Sequence, residues 1–252
     1  MVGSGNDFII IQGKSFGNLP KLAKRLCDRK LGIGADGMLL LNKCHAGLNM
    51  RIFNSDGSEA EMCGNGARCA AFFNAKAKTQ LFTASGIVHA EVCANQVKIQ
   101  LTTPKEIRLD IPLKVNGRWL KVNFINTGVP HLVVFVNGID AIDVKNLGCL
   151  LRNHRKFSPR GTNVNFVEEK ANNSIRIRTY ERGVEDETLA CGTGSTAAAL
   201  IFALKNDINS LIKVQTQSGE ILKVTFKKES GEFTKVWLEG MVKIVYKGEC
   251  YV

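Results

Sequence analysis

The chain has 252 residues, 44% hydrophobic and 23% charged, a balance ordinary for a folded globular protein of one or two domains. No apolar run approaches the roughly 20 residues a membrane span needs, and no signal peptide is apparent, so no membrane association and a cytoplasmic location are expected. The net charge of +11 is scattered, with modest clusters at Lys21–Lys30 and Arg152–Arg160 and no RNA-stacking signature. A solvated basic surface that attracts an anionic substrate is therefore expected in preference to nucleic-acid binding.

In chain order, Phe8–Gln12 is a short apolar run and reads as a strand. Pro20–Arg29 places Leu22, Ala23 and Leu26 on one helical face. Met38–Leu41 and Met50–Phe53 read as strands, and Ala-rich Gly64–Lys76 as a helix. Ile87–Val92 and Val97–Leu101 form a strand pair turning at Asn95-Gln96. The stretch from Thr103-Pro104 to Pro112 reads as a linker. Strands follow at Phe124–Ile125 and Leu132–Val136, then a helix at Val144–Arg152. Val164–Val167 and Ser174–Tyr180 are strands, Thr193–Leu204 a helix. Ile212–Thr216, Ile221–Phe226 and Val236–Leu238 are strands, and Val242–Tyr246 begins the last.

The second half repeats the first. Cys63-Gly64-Asn65-Gly66 is echoed by Cys191-Gly192-Thr193-Gly194, each opening an Ala-rich helix. Arg51-Ile52-Phe53-Asn54 precedes the first as Arg178-Thr179-Tyr180-Glu181 precedes the second. Thr83-Ala84-Ser85-Gly86 is echoed by Thr216-Gln217-Ser218-Gly219. The offset is 123 from Gly5 to Gly128, 128 from Cys63 to Cys191 and 133 from Gly86 to Gly219. That drift fits a few inserted residues. A period near half the chain implies two copies of one domain with a cleft between them, not a solenoid. The expected fold class is α/β, a mixed α+β roll. It has two pseudo-symmetric domains, each a strongly curved, mostly antiparallel sheet around a central helix, with the active site in the cleft. The halves are drawn at 1–112, with 242–252 as a completing strand, and at 113–241.

Eight cysteines invite a disulfide or zinc reading. A disulfide framework is disfavoured in a long chain without an export signal, and no Cys-x-x-Cys provides zinc spacing, so no metal is expected. Gly32-x-Gly34-x-x-Gly37 matches a dinucleotide fingerprint, but a strand follows where that fingerprint needs a helix. No Gly-Lys-Ser/Thr phosphate loop occurs.

Cys63 and Cys191 are another matter. A cysteine ahead of a helix N-terminus sits where partial positive charge collects, which favours its thiolate. The amides that follow suit a carboxylate. Two such termini converging on one amino acid would hold its α-carboxylate and stabilise the charge that grows when the α-proton leaves. One thiolate takes the proton from one face and the other thiol returns one to the opposite face, inverting the carbon without a cofactor. Structural cysteines in helix-start turns are the bland alternative.

These residues resemble the diaminopimelate epimerase family. The resemblance rests on Gly5-Asn6-Asp7-Phe8, Asn54-Ser55-Asp56-Gly57-Ser58, Met62-Cys63-Gly64-Asn65-Gly66-Ala67-Arg68-Cys69, Asn163-Val164-Asn165-Phe166, Glu181-Arg182-Gly183 and Thr188-Leu189-Ala190-Cys191-Gly192-Thr193-Gly194. It covers nearly the whole chain. It implies a pyridoxal-independent epimerase, without cofactor, that interconverts LL- and meso-diaminopimelate on the lysine and peptidoglycan pathway. Cys63 and Cys191 would be the acid–base residues. Gly64, Asn65, Gly192 and Thr193 would bind the reacting α-carboxylate. Asn6, Asn54, Asn163 and Arg182 would hold the rest of a dicarboxylic amino acid, with Arg182 suited to the distal carboxylate. His131 and Glu181 would tune or orient the thiols, and Glu181 is counted with the substrate contacts as well. A homodimer is the family-based expectation for assembly.

Residue by residue, Asn6 and Asn54 also suit turn capping, Arg182 a surface ion pair, and His131 a satisfied core position. Gly37 and Val129 stand where many family members carry Gln and Asn, so those two contacts are not carried over, and the family's usual first strand is expected to be shortened or absent. A two-thiol racemase for another amino acid is the near alternative. A basic nucleic-acid-binding protein with structural cysteines is the distant one.

Overall fold

The protein was analysed as a computed structural model, which describes residues 1–13, 16–229 and 231–251. It divides into two compact units, Met1–Gln100 with Glu239–Val252, and Leu101–Leu238. Each is a mixed α/β structure. No helix among the described residues is long and apolar enough to cross a membrane.

The first unit contains β1 (Val2–Gly3), β2 (Asn6–Gln12), α1 (Leu19–Cys27), β3 (Gly37–Cys44), β4 (Gly47–Asn54), β5 (Glu59–Ala60), α2 (Gly64–Phe73), β6 (Lys78–Thr83), β7 (Gly86–Cys93) and β8 (Gln96–Gln100). β2 lies parallel to β3, with Phe8 opposite Gly37, and β3 antiparallel to β4, with Gly37 opposite Asn54. β4 also pairs with β5 antiparallel and β6 parallel, and β6 with β7 antiparallel. Asn18 caps α1 by accepting from the Lys21 amide at 3.0 Å, with Pro20 in its first turn. Ala23, Leu26 and Cys27 turn inward to Met38 and Phe53. Residues Asn65 to Ala71 of α2 are all buried, which its glycine and alanine content permits.

The second unit repeats this wiring. It contains β9 (Lys105–Val115), β10 (Arg118–Asn126), β11 (Pro130–Phe135), α3 (Val144–Arg152), β12 (Asn163–Lys170), β13 (Ser174–Glu181), β14 (Asp186–Thr188), α4 (Gly192–Lys205), β15 (Ile212–Gln215) and β16 (Ile221–Glu229). The last strand, β17 (Glu232–Met241), runs through the boundary at Leu238. β11 lies parallel to β12, β12 antiparallel to β13, and β13 pairs with β14 antiparallel and β15 parallel. β15 then pairs with β16 antiparallel. That is the order of β2 to β7, strand for strand. Gly194 to Ala203 of α4 are all buried, as the core of α2 is. Phe166, Val164, Leu132 and Tyr180 belong to the apolar core on the α3 side.

Small details repeat as well. Arg51 grips Glu59 with two bonds of 2.7 and 2.8 Å, and Arg178 grips Glu187 with two of 2.7 Å. Thr83 bonds Ser85 across the β6–β7 turn at 3.1 Å, and Thr216 bonds Ser218 across the β15–β16 turn at 2.9 Å. The matched segments of the sequence are thus matched pieces of one fold.

Three sequence expectations are corrected. The supposed linker to Pro112 lies mostly within β9, where Pro112 sits opposite Lys121. Proline lacks an N–H, but a strand paired along one side with β10 tolerates it. The β7–β8 turn is at Ala94-Asn95, because Cys93 and Gln96 already pair. Val242–Tyr246 is not a strand. Lys243 forms one isolated bridge to Val2, and Ile244, Val245 and Tyr246 are exposed. The sequence reading also passed over β6, whose Lys78-Thr79-Gln80 opening hides its apolar face.

Candidate active site

Cys63 is the N-cap residue of α2 and Cys191 of α4, both in extended backbone. In each case the cysteine carbonyl accepts the first helical bond, from Ala67 and Ser195 at 2.8 Å. The two sulfurs then make different contacts. Cys63 Sγ lies 3.8 Å from Asn6 Oδ1 and makes no capping bond to its own helix. Cys191 Sγ accepts from the Gly194 amide at 3.4 Å and lies 3.5 Å from Thr193 Oγ1. Gly64 and Gly192 open the two helices.

Around Cys63, Asn65 Nδ2 also points at Asn6 Oδ1, at 3.5 Å. Buried Arg68 fixes the Asn65 amide by donating to its Oδ1 at 3.0 Å, and donates to Ser4 as well. Asn6 Nδ2 in turn donates to Asp36 at 2.7 Å. Asn54, at the end of β4, is exposed; its amide bonds Ser58 Oγ at 2.9 Å across its turn. Its amide therefore has a turn-capping contact, the reading first set beside substrate binding.

Around Cys191, Glu181 ends β13 as Asn54 ends β4. Burial raises the Glu181 pKa above the usual carboxylate range, opposed by the Thr188 hydroxyl, which donates to it at 3.0 Å. Asn163 Oδ1 accepts from the Arg182 amide at 2.9 Å while its Nδ2 donates to the Pro130 carbonyl at 3.1 Å. The Arg182 guanidinium bonds the Arg160 carbonyl at 3.3 Å. Thr193 is held by Thr127, whose hydroxyl donates to its carbonyl at 3.1 Å.

His131 is fully buried. Asn165 Nδ2 donates to the Leu132 carbonyl at 2.8 Å, which fixes that amide, since a carbonyl only accepts. The same Nδ2 lies 3.2 Å from His131 Nδ1, so Nδ1 accepts and the ring proton sits on Nε2. His131 Nε2 has no hydrogen-bond partner among the described residues. Burial, with the nearby Arg182 charge, pushes the His131 pKa down to about 3. The unfolded chain, with an ordinary histidine near 6.5, therefore binds more protons between those values. Stability should be fully present above pH ~6.5 and be lost as pH falls toward ~3, by up to about 1.4 kcal/mol per pH unit from this group. Urea midpoints at pH 7 and pH 5 should differ less in His131→Gln than in the wild type. An equal difference in both would assign the acid sensitivity elsewhere.

Several residues in these networks were not picked out from the sequence: Asp36, Arg29, which donates to Asp36 Oδ1 at 2.7 Å, Asn165, Thr127 and Thr179, whose hydroxyl donates to Asn165 Oδ1 at 3.0 Å. For Asn165 a signal existed. Asn163 and Asn165 alternate on one face of a strand, and both are buried.

The family model for diaminopimelate epimerase matches residues 1–107 and 123–245. The chain belongs to the diaminopimelate epimerase family. It is therefore an isomerase. It is 42% identical over 268 residues to a diaminopimelate epimerase of Hydrogenobaculum sp. (strain Y04AAS1), covering 98% of this chain and 95% of that one. It is 42% identical over 267 residues to one of Aquifex aeolicus (strain VF5), covering 98% and 94%. Among solved structures, it shares the fold of a phenazine biosynthesis protein of the PhzF family from Bacillus anthracis, with TM-score 0.73 and 16% identity over 94% of this chain and 91% of that one. It also shares the fold of a probable proline racemase from Agrobacterium radiobacter K84, with TM-score 0.69 and 17% identity over 95% and 88%.

Proposed function

We propose that this protein interconverts LL- and meso-2,6-diaminopimelate by inverting one α-carbon, without a cofactor, with Cys63 and Cys191 as its two acid–base groups. The observation that carries this is the pair of thiols, each the N-cap of a buried helix in a duplicated frame, in a chain of this family. A thiolate on one face removes the α-proton, and the electron pair of the broken C–H bond is held by the neighbouring carboxylate. A thiol on the other face delivers a proton. Helix-start amides beginning at Gly64, Asn65, Gly192 and Thr193 hold that carboxylate and stabilise its growing charge. Asn6, Asn54, Asn163 and Arg182 hold the remainder, with Arg182 for the distal carboxylate. Glu181, kept from easy ionisation by burial, and His131, whose Nε2–H has no partner among the described residues, set the polarity around the thiols. A cytoplasmic homodimer belongs to the same reading.

The test is a substrate panel. The purified protein should interconvert the two diaminopimelate isomers at enzymatic rates and leave proline, glutamate and lysine unchanged. The panel matters because Gly37 offers no side chain to a substrate, and a Cβ there would lie 2.8 Å from the Phe53 carbonyl oxygen. Turnover of another amino acid with none of diaminopimelate would replace this substrate with that one.

A further inference from the structure

We propose that Asn165 and Thr179 are positioning residues that hold His131 as a hydrogen-bond donor with its proton on Nε2, and that this buried polar triad serves the reaction and not the fold. This rests on the reading of His131 as a group that sets the polarity around the thiols.

The duplicated frame supplies the comparison. In the second unit, His131 lies opposite Asn163 where β11 meets β12, and Val133 lies opposite Asn165 two residues on. Asn165 then lies opposite Thr179 where β12 meets β13. In the first unit, Phe8 lies opposite Gly37 where β2 meets β3, and Ile10 lies opposite Leu39 two residues on. Leu39 then lies opposite Ile52 where β3 meets β4. His131, Asn165 and Thr179 therefore occupy the register positions of Phe8, Leu39 and Ile52. The helix glycines agree: a Cβ on Gly194 would meet Asn165, and one on Gly66 would meet Leu39 and Phe8. All six side chains are buried. One copy of the fold fills these places with apolar groups, the other with an imidazole, an amide and a hydroxyl. Exchanging buried hydrogen-bonded partners for apolar groups of like shape is near neutral or stabilising. The fold alone does not call for the triad.

The wiring of the triad allows one arrangement. Asn165 Nδ2 donates to the Leu132 carbonyl at 2.8 Å, and the Thr179 hydroxyl donates to Asn165 Oδ1 at 3.0 Å. Both ends of the amide are thereby assigned. The second hydrogen on Nδ2 is left for His131 Nδ1, at 3.2 Å. An amide nitrogen does not accept, so Nδ1 presents its lone pair and the neutral ring carries its proton on Nε2. With Nδ1 engaged and Nε2 protonated, no free lone pair remains to take a proton. His131 can donate but cannot act as a base. Nε2 has no partner among the described residues. The ring lies in register with Asn163, whose Oδ1 holds the Arg182 amide at 2.9 Å. A fixed donor beside that loop suits an acceptor on which negative charge grows during the reaction.

The experiment combines nitrogen NMR of histidine-labelled protein with two variants. The chain has four histidines, so His131→Phe identifies the His131 signals by their loss. In the wild type at pH 7, His131 should show an unprotonated Nδ1 and a protonated Nε2. A protonated Nδ1 overturns the assignment. The double variant Asn165→Leu, Thr179→Ile keeps His131 but gives it the surroundings of the first unit. Its ring nitrogens should move toward a common averaged value as the tautomers mix, and kcat should fall on the order of tenfold, the lower end of what orienting partners contribute to metal-bound histidines. An unchanged nitrogen pattern or an unchanged kcat overturns the assignment. The triple variant that adds His131→Phe copies the first unit at all three positions. Its urea midpoint should equal or exceed that of the wild type while kcat stays low. A midpoint far below the wild type would assign the triad to the fold and overturn the proposal. The wild-type nitrogen pattern and the triple variant decide the matter even where the double variant fails to fold. A wild type with the expected nitrogen pattern but no α-proton exchange in diaminopimelate would instead overturn the epimerase reading, leaving the hold of Asn165 on His131 supported.

Discussion

Cys63→Ser and Cys191→Ser should each lower kcat for epimerisation by about 10²- to 10⁴-fold, the usual contribution of one acid–base group. Serine keeps the size and the N-cap geometry, so the fold should persist. What is lost is acidity. A free thiol titrates near 8.5, and helix starts as a class favour the thiolate, whereas a hydroxyl is a weak nucleophile and base without a partner to activate it. The two losses should not add. Once either proton path is cut, the cycle cannot close, and the double variant should resemble each single one. Cys93→Ser and Cys250→Ser, at exposed positions, should keep activity. A single cysteine variant with near-normal turnover would show that one thiol and water suffice.

Gly194→Ala should damage stability and activity together. The new Cβ would fall 2.3 Å from Asn165 Oδ1 and 3.2 Å from Cys191 Sγ. Asn165 cannot swing aside, because it is fully buried and bonded to His131, Leu132 and Thr179 at once. Either the start of α4 moves or this network breaks. Overpacking and lost buried hydrogen bonds together cost roughly 2–4 kcal/mol. Movement of the helix start also carries away the Gly194 amide that bonds the sulfur. We therefore expect a lowered urea midpoint together with a fall in kcat. The matched position gives the control. A Cβ at Gly66 would meet Leu39 Cδ2 at 3.2 Å and Phe8 Cζ at 3.6 Å, flexible or apolar neighbours, and Gly66→Ala should cost well under half as much. Equal effects at the two positions would mean that the Asn165 network is not what Gly194 protects.

Much of this architecture was legible before any coordinates, because duplication is a property of the text. Cys63 and Cys191 announced two helix starts, and the drift between matched segments announced two copies with small insertions. Apolar runs such as Val164–Val167 revealed strands because burial on both faces leaves an uninterrupted hydrophobic signature. What stayed hidden depends on contacts the chain closes from a distance. Arg29 meets Asp7 across 22 residues, and Thr127 meets Thr193 across 66, without any periodic pattern to betray them. β9 was hidden by its own composition, since prolines at both ends of a polar stretch read as a linker. Val242–Tyr246 failed in the opposite sense. Its residues favour a strand, but among the described residues its backbone bonds are the Val2–Lys243 bridge and one from the Val242 amide to the Asn95 carbonyl, and propensity alone does not make a sheet.

The same contacts explain why two near-identical motifs need not behave alike. Their sequences differ by one residue, Asn65 against Thr193, yet Cys63 Sγ lies near Asn6 Oδ1, whereas Cys191 Sγ lies near the Gly194 amide and the Thr193 hydroxyl.

The central claim, that two thiols work from opposite faces, is tested most directly by epimerisation in deuterium oxide, sampled at early times and read by mass spectrometry and proton resonance at Cα. The account predicts that product carries one solvent deuteron at the inverted carbon while recovered substrate keeps its protium. Deuterium appearing as readily in recovered substrate, or substrate-derived protium carried into the product, would mean that a single group both removes and returns the proton, and would contradict it.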